Sequence, residues 1–122
     1  MNGNKKKRTI GFVYAWNGLV EIIKSERNFK IHFTVCIIVL IVNIILNLSA
    51  VEWAIILLAI GGVLITETFN TAVERMIDYV KPEIHPSAKH IKDIAAGGVL
   101  IAAIISVVTG TIIYFPKLIA FF

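Results

Sequence analysis

Three apolar runs without a single charged side chain dominate the chain: Phe33 to Val51, Trp53 to Thr66 and Ile94 to Phe115. In a bilayer no water is present to bond exposed backbone groups, so a run of this kind has to form a helix. The first run is interrupted by Asn43, Asn47 and Ser49, and the third is closed by Pro116. The second is too short to cross alone. At 1.5 Å per residue it covers about 21 Å of a hydrocarbon core about 30 Å thick. Its helix must therefore continue through Glu67 towards Glu74. Composition agrees: 57% of the 122 residues are hydrophobic and 16% charged, against averages of about 45–50% and about 25% in soluble domains. The expectation is one all-α integral membrane domain, with transmembrane helices over residues 31–51, 53–80 and 94–115.

The distribution of charge orients these spans. Lys5, Lys6, Lys7, Arg8, Lys24, Arg27 and Lys30 precede the first span. Arg75, Lys81, Lys89 and Lys92 lie near or between the ends of the second and third, and the first connection has neither Lys nor Arg. The positive-inside rule then predicts a cytoplasmic N-terminus and an external C-terminus. The basic residues flank spans instead of forming an interleaved patch, which argues against nucleic acid as a partner. Cys36 is the only cysteine, so neither an intrachain disulfide nor a cysteine zinc site is available. Lys5–Arg8 before an apolar stretch has the look of a signal peptide. However, Asn17, Gly18 and Glu21 interrupt that stretch and no small-residue cleavage site follows, so it reads as retained.

Residues 1–8 are expected to form a disordered basic tail. Over 9–25, Phe12, Trp16, Leu19, Val20 and Ile23 recur with helical spacing while Asn17, Glu21 and Lys24 fall opposite. This predicts an amphipathic helix lying in the membrane interface. Pro82 and Pro86 place the end of the second long helix near Val80 or Lys81, and Ser87 is a candidate cap for the next. Gly61-Gly62 and Gly97-Gly98 suggest close helix packing. Neither pair joins a strand to a helix, and no Walker A or Gly-rich nucleotide fingerprint occurs.

The polar residues of the second helix are its chemistry. Rotation of about 100° per residue gathers Glu67, Thr71, Glu74 and Asp78 into a stripe about 60° wide, with Asn70 on its flank. An ionisable side chain at membrane depth costs about 2.5–3.5 kcal/mol on insertion scales. The same end of the bundle collects Glu26, Glu83, Asp93, Lys89 and Lys92. Carboxylate oxygens suit Mg²⁺, which binds one or two of them together with substrate phosphates. Neighbouring lysines neutralise a transferring phosphoryl group. Glu67, the deepest acid, is placed to accept a proton from a lipid hydroxyl. Phosphoryl transfer from Mg-nucleotide to a membrane-dissolved alcohol fits these residues. So does an ion or proton pathway through the same acids, or helix-end charge pairing such as Arg75 with Asp78 and Glu74 with Asp78. His32 reads as a packed interfacial residue.

Glu67-Thr68-Phe69-Asn70-Thr71-Ala72-Val73-Glu74 resembles the signature of the small prokaryotic diacylglycerol kinases. So do Ala88-Lys89-His90-Ile91-Lys92-Asp93-Ile94-Ala95-Ala96-Gly97, the Trp16-Asn17-Gly18-Leu19 segment, and Glu26 with Phe29. The resemblance runs from about Lys7 into the third span. It implies a surface helix plus three transmembrane helices in a homotrimer, with active sites shared between subunits in a bacterial inner membrane. ATP is the implied donor and Mg²⁺ the implied metal. Glu67 resembles the general base, with Asn70 beside it, and Glu26 and Glu74 resemble the carboxylates that hold metal and nucleotide. Lys7, Tyr14, Glu83, His85, Lys92 and Asp93 match nucleotide contacts, and Trp16 and Leu19, with Glu67, the lipid site. Asn17 and the Lys81-Pro82 pair depart from the family pattern. The wording of both motifs is closer to the Gram-positive branch, which implies undecaprenol as substrate and diacylglycerol as the alternative.

Overall fold

The computed structural model describes residues 2–81, 83 and 85–122; of residues 2–10 it describes the backbone path. The described residues form four helices: α1 Asn2–Ser25, α2 Arg27–Ile45, α3 Ala50–Val80 and α4 Pro86–Phe121. The last three are each long and apolar enough to cross a membrane. α3 and α4 share the most extensive packing, α2 lies against α3, and α1 against α2.

Local chemistry sets the helix ends. α2 stops at Ile45 because Asn47 takes a left-handed conformation, φ 56°, which its short polar side chain tolerates. Asn47 N then donates to Ile44 O (3.3 Å) and Leu48 N to Asn43 O (3.2 Å), the paired bonds of a Schellman ending. Ser49 opens α3 as a capping box: Glu52 N donates to Ser49 Oγ and Ser49 N to Glu52 Oε1. Glu52 also meets Lys117 Nζ at 3.0 Å, joining the start of α3 to the end of α4. The first span is therefore shorter at this end than residue 51, because the turn chemistry of Asn47 to Ser49 outweighs the apolar run. At its other end α3 closes at Val80, and Lys81 N donates back to Ile77 O at 2.8 Å.

Four expectations change. Residues 2–8 continue α1 instead of forming a disordered tail. Lys and Arg are good helix formers, and each added residue gains a bond once the helix exists. α4 passes through Pro116 to Phe121. Proline removes one donor, a loss that membrane helices absorb locally without ending. The cap of α4 is His85, whose Nδ1 accepts from Ser87 N at 3.1 Å. Pro86 has no N–H to satisfy and fits the first helical position, which puts Ser87 inside the first turn. Finally, Gly61, Gly62, Gly97 and Gly98 have no atom within 4 Å of where a Cβ would stand. The close contact they suggested does not form within one chain.

Little of the chain is buried. Leu48, Ile56 and Ile113 form an apolar cluster near the α2–α3 turn, with Trp53 and Tyr114 packed against it. Leu58, Ile94 and Ile44 remain 78%, 76% and 70% exposed. Polar groups within α3 turn back on their own helix: Thr66 Oγ1 donates to Gly62 O and Thr68 Oγ1 to Leu64 O. Among the described residues, part-buried hydrogen bonds that join helices include Ser106 Oγ to Ala59 O (3.1 Å) and Tyr114 OH to Asn43 Oδ1. Asn43 is fully buried, and its Nδ2 finds no partner among the described residues. Tyr114→Phe strips the amide of its remaining side-chain bond. A loss of about 1–2 kcal/mol is expected, read as an earlier midpoint when the purified protein is titrated with denaturing detergent.

Candidate active site at the C-terminal end of α3

The carboxylate stripe changes environment along α3. Glu67 is buried at 4% exposure, Asn70 at 8% and Thr71 at 5%; Glu74 is half-buried and Asp78 exposed. The helix thus leads from an enclosed acid to an open one within three turns. Asn70 Nδ2 donates to Glu74 Oε1 at 3.3 Å, the i, i+4 spacing that one helical face allows. Asn70 Oδ1 is buried without a partner among the described residues. Glu67 faces α2, where His32 Nε2 lies 3.6 Å from Glu67 Oε2.

Arg75 locks the helices around this group. Its guanidinium donates to Glu21 Oε1 (3.0 Å), Ser25 Oγ (2.6 Å) and Glu26 Oε1 (2.9 Å). One side chain of α3 thereby fixes the end of α1 and the cap position of α2. Glu26 is that N-cap, in extended conformation. Arg75 pairs across helices in this way, and the helix-end pairing with Asp78 suggested by their spacing does not occur. Asp78 instead receives Lys92 Nζ at 2.5 Å from α4.

A second group forms where α3 gives way to α4. A concave site of about 240 Å³ is lined by Asp78, Lys81, Glu83, His85, Ala88, Lys89, Lys92 and Asp93. Lys89 holds Asp93 at 2.6 Å along the same helix, and Lys81 lies 3.4 Å from Glu83. Lys81, Lys89 and Lys92 stand on its rim, each paired with a carboxylate that an incoming anion would have to replace. Glu74 and Asp78 are one turn apart on α3, so the two groups adjoin along that helix.

The remaining assignments divide. Tyr14, Trp16 and Leu19 lie exposed on α1 at 69%, 60% and 44%. Trp16 and Leu19 border an apolar groove of about 540 Å³, walled also by Phe33, Leu64 and Phe69. Tyr14 lines neither that groove nor the anion site. The Lys7 side chain and Pro82 fall outside what the structure describes. For a metal, no cluster of three or more His, Cys, Asp or Glu side chains is arranged to hold one among the described residues. The donor chemistry nonetheless fits a hard cation. Glu74 and Glu26 offer carboxylate oxygens, Asn70 has a free amide oxygen, and Mg²⁺ completes its shell with waters and phosphates.

Prokaryotic diacylglycerol kinase describes the family that matches residues 13–114. The chain belongs to that family. Prokaryotic diacylglycerol kinases are lipid kinases, and this chain is one of them. Among similar proteins, the undecaprenol kinase of Bacillus subtilis is 44% identical over 107 residues, 88% of this chain and 87% of its own. The diacylglycerol kinase of Synechocystis is 38% identical over 112 residues, 91% of this chain and 64% of its own. That of Escherichia coli K12 is 27% identical over 100 residues, 82% of each. Two residues that the structure brings to this candidate site escaped the sequence reading: His32, set down as packing, and the bridging Arg75, set down as local pairing. Spacing held a signal for the first. His32 falls between buried Phe29 and Cys36 at i+3 and i−4, on the inward face of α2.

Proposed function

We propose that this lipid kinase transfers the γ-phosphoryl group of ATP to the hydroxyl of undecaprenol, giving undecaprenyl phosphate. The observation that carries the reading is the buried Glu67 carboxylate towards the C-terminal end of a helix long and apolar enough to cross a membrane, about two turns from Glu74 and about three from Asp78, which pairs with Lys92. An acid held there meets a hydroxyl presented from within the bilayer, while the phosphate donor approaches from water. In the transfer, Glu67 takes the hydroxyl proton as the lipid oxygen forms its bond to phosphorus, and ADP departs with the electron pair of the broken bond. Asn70 steadies Glu74 and leaves its own oxygen facing the site. Lys92 is half-buried, and it can exchange Asp78 for a nucleotide phosphate. Lys7, Tyr14, Glu83, His85 and Asp93 are assigned to the nucleotide with it. Glu26 and Glu74 are the residues that would hold Mg²⁺, which when bound neutralises phosphate charge. Trp16 and Leu19 border the lipid.

The site is proposed to face the cytoplasm, because no Lys or Arg occurs between Lys30 and Arg75 while both flanks are basic. α1 is proposed to lie in the interface, its exposed Phe12 and Trp16 facing headgroups. A homotrimer is proposed as the working assembly. Its support is the open surface beside Gly61-Gly62 and Gly97-Gly98, together with a metal donor set that one chain leaves incomplete.

Diacylglycerol is the alternative acceptor, favoured by the similarity to the Synechocystis protein. A competition assay separates the two. Purified chain in mixed micelles, given γ-labelled ATP and equal amounts of undecaprenol and diacylglycerol, is expected to label undecaprenol preferentially. Preferential labelling of the glycerolipid would reverse the choice of substrate.

A further inference from the structure

A buried general base needs more than depth. A carboxylate free to rotate divides its time between orientations, and misplacement by about 1 Å costs about a hundredfold in rate. Glu67 has few restraints. Asn70, its neighbour on α3, turns its amide to Glu74. Arg75 is committed to Glu21, Ser25 and Glu26. Among the described residues the only ion-pair partner of Glu67 is His32, with Nε2 3.6 Å from Oε2 and side-chain exposures of 31% and 6%. His32 reaches inward because it shares the face of α2 that buries Phe29 and Cys36. Its other side borders a cavity of about 250 Å³ between α2, α3 and α4.

We propose that His32 is the positioning residue of the catalytic base: its Nε2–H holds Glu67 Oε2 and leaves Oε1 to take the proton of the lipid hydroxyl. The inference rests on the kinase reading above and adds to it a residue from a second helix. The distance is a few tenths of an ångström beyond a hydrogen bond, and catalytic contacts commonly tighten when substrate binds. Proton and electrons balance around it. The lipid O–H breaks, its proton goes to Oε1, and its electron pair forms the O–P bond. The bond from γ-phosphorus to the bridging oxygen then releases ADP, and His32 changes neither charge nor partner.

Three variants of the full chain test this, each first shown to keep wild-type helix content and thermal midpoint in detergent. His32→Leu removes the donor. His32→Gln restores an N–H at nearly the reach of Nε2. Glu67→Gln removes the base. His32→Leu is expected to lower kcat about ten- to a hundredfold with KM for ATP and for the lipid unchanged, and His32→Gln to recover most of it. Equal loss in Leu and Gln variants, no loss in either, or a change confined to lipid KM would overturn the proposal. Full turnover in Glu67→Gln would instead remove the base itself, and His32's role with it. A folding failure of His32→Leu leaves the decision with His32→Gln, whose kcat must stay within a few-fold of wild type.

Discussion

Glu67→Gln is expected to lower turnover by about two to four orders of magnitude, the usual contribution of a general base. Nucleotide binding should survive, because the anion site at the α3–α4 corner is lined without Glu67. The amide keeps the shape of the acid, so packing around this buried position is preserved. Stability should be unchanged or higher, since an ionisable group at 4% exposure gives way to a neutral one. This combination is diagnostic. A residue buried for structural reasons would give lower stability and a proportionate loss of both binding and turnover. The measurements are kcat in lipid micelles, Kd for a fluorescent nucleotide, and the detergent denaturation midpoint.

The second large effect is expected at Lys92. Its Nζ bridges from α4 to Asp78 at 2.5 Å, at the concave site proposed to take the nucleotide phosphates. Losing one preorganised cation at a developing phosphoryl charge costs about 10²–10³ in rate. Lys92→Ala should therefore lower kcat/KM for ATP by about that factor. Lys89→Ala should do much less, because Lys89 is exposed and engaged with Asp93 along its own helix. A similar loss from both lysines would mean that general positive potential, not the placement of Lys92, attracts the nucleotide. Raising salt separates these cases further: diffuse attraction is screened over about 10 Å at 0.1 M, and a direct contact much less.

What could be read from residue order alone follows from the range of the forces involved. Charge-free runs have one outcome in a bilayer, so the three long helices were legible. The stripe of Glu67, Thr71, Glu74 and Asp78 was legible too, because helical rotation is fixed once the helix is granted. Burial rises along it from Asp78 to Glu67. The ends of helices depended on atoms. Asn47 took a left-handed conformation, His85 capped in place of Ser87, and α4 absorbed Pro116. Contacts between helices were the least accessible. Arg75 is about fifty residues from Glu21, Ser25 and Glu26, and no periodicity links them. The glycine pairs suggested close packing, but among the described residues nothing from another helix lies within 4 Å of where their Cβ atoms would stand.

The most direct measurement follows label from γ-labelled ATP into extracted lipid, with wild-type chain and Glu67→Gln run side by side on undecaprenol in detergent. The account predicts labelled undecaprenyl phosphate from the wild type and almost none from the variant, at equal nucleotide occupancy. Equal labelling by the two proteins, or none by the wild type with either undecaprenol or diacylglycerol, would contradict it.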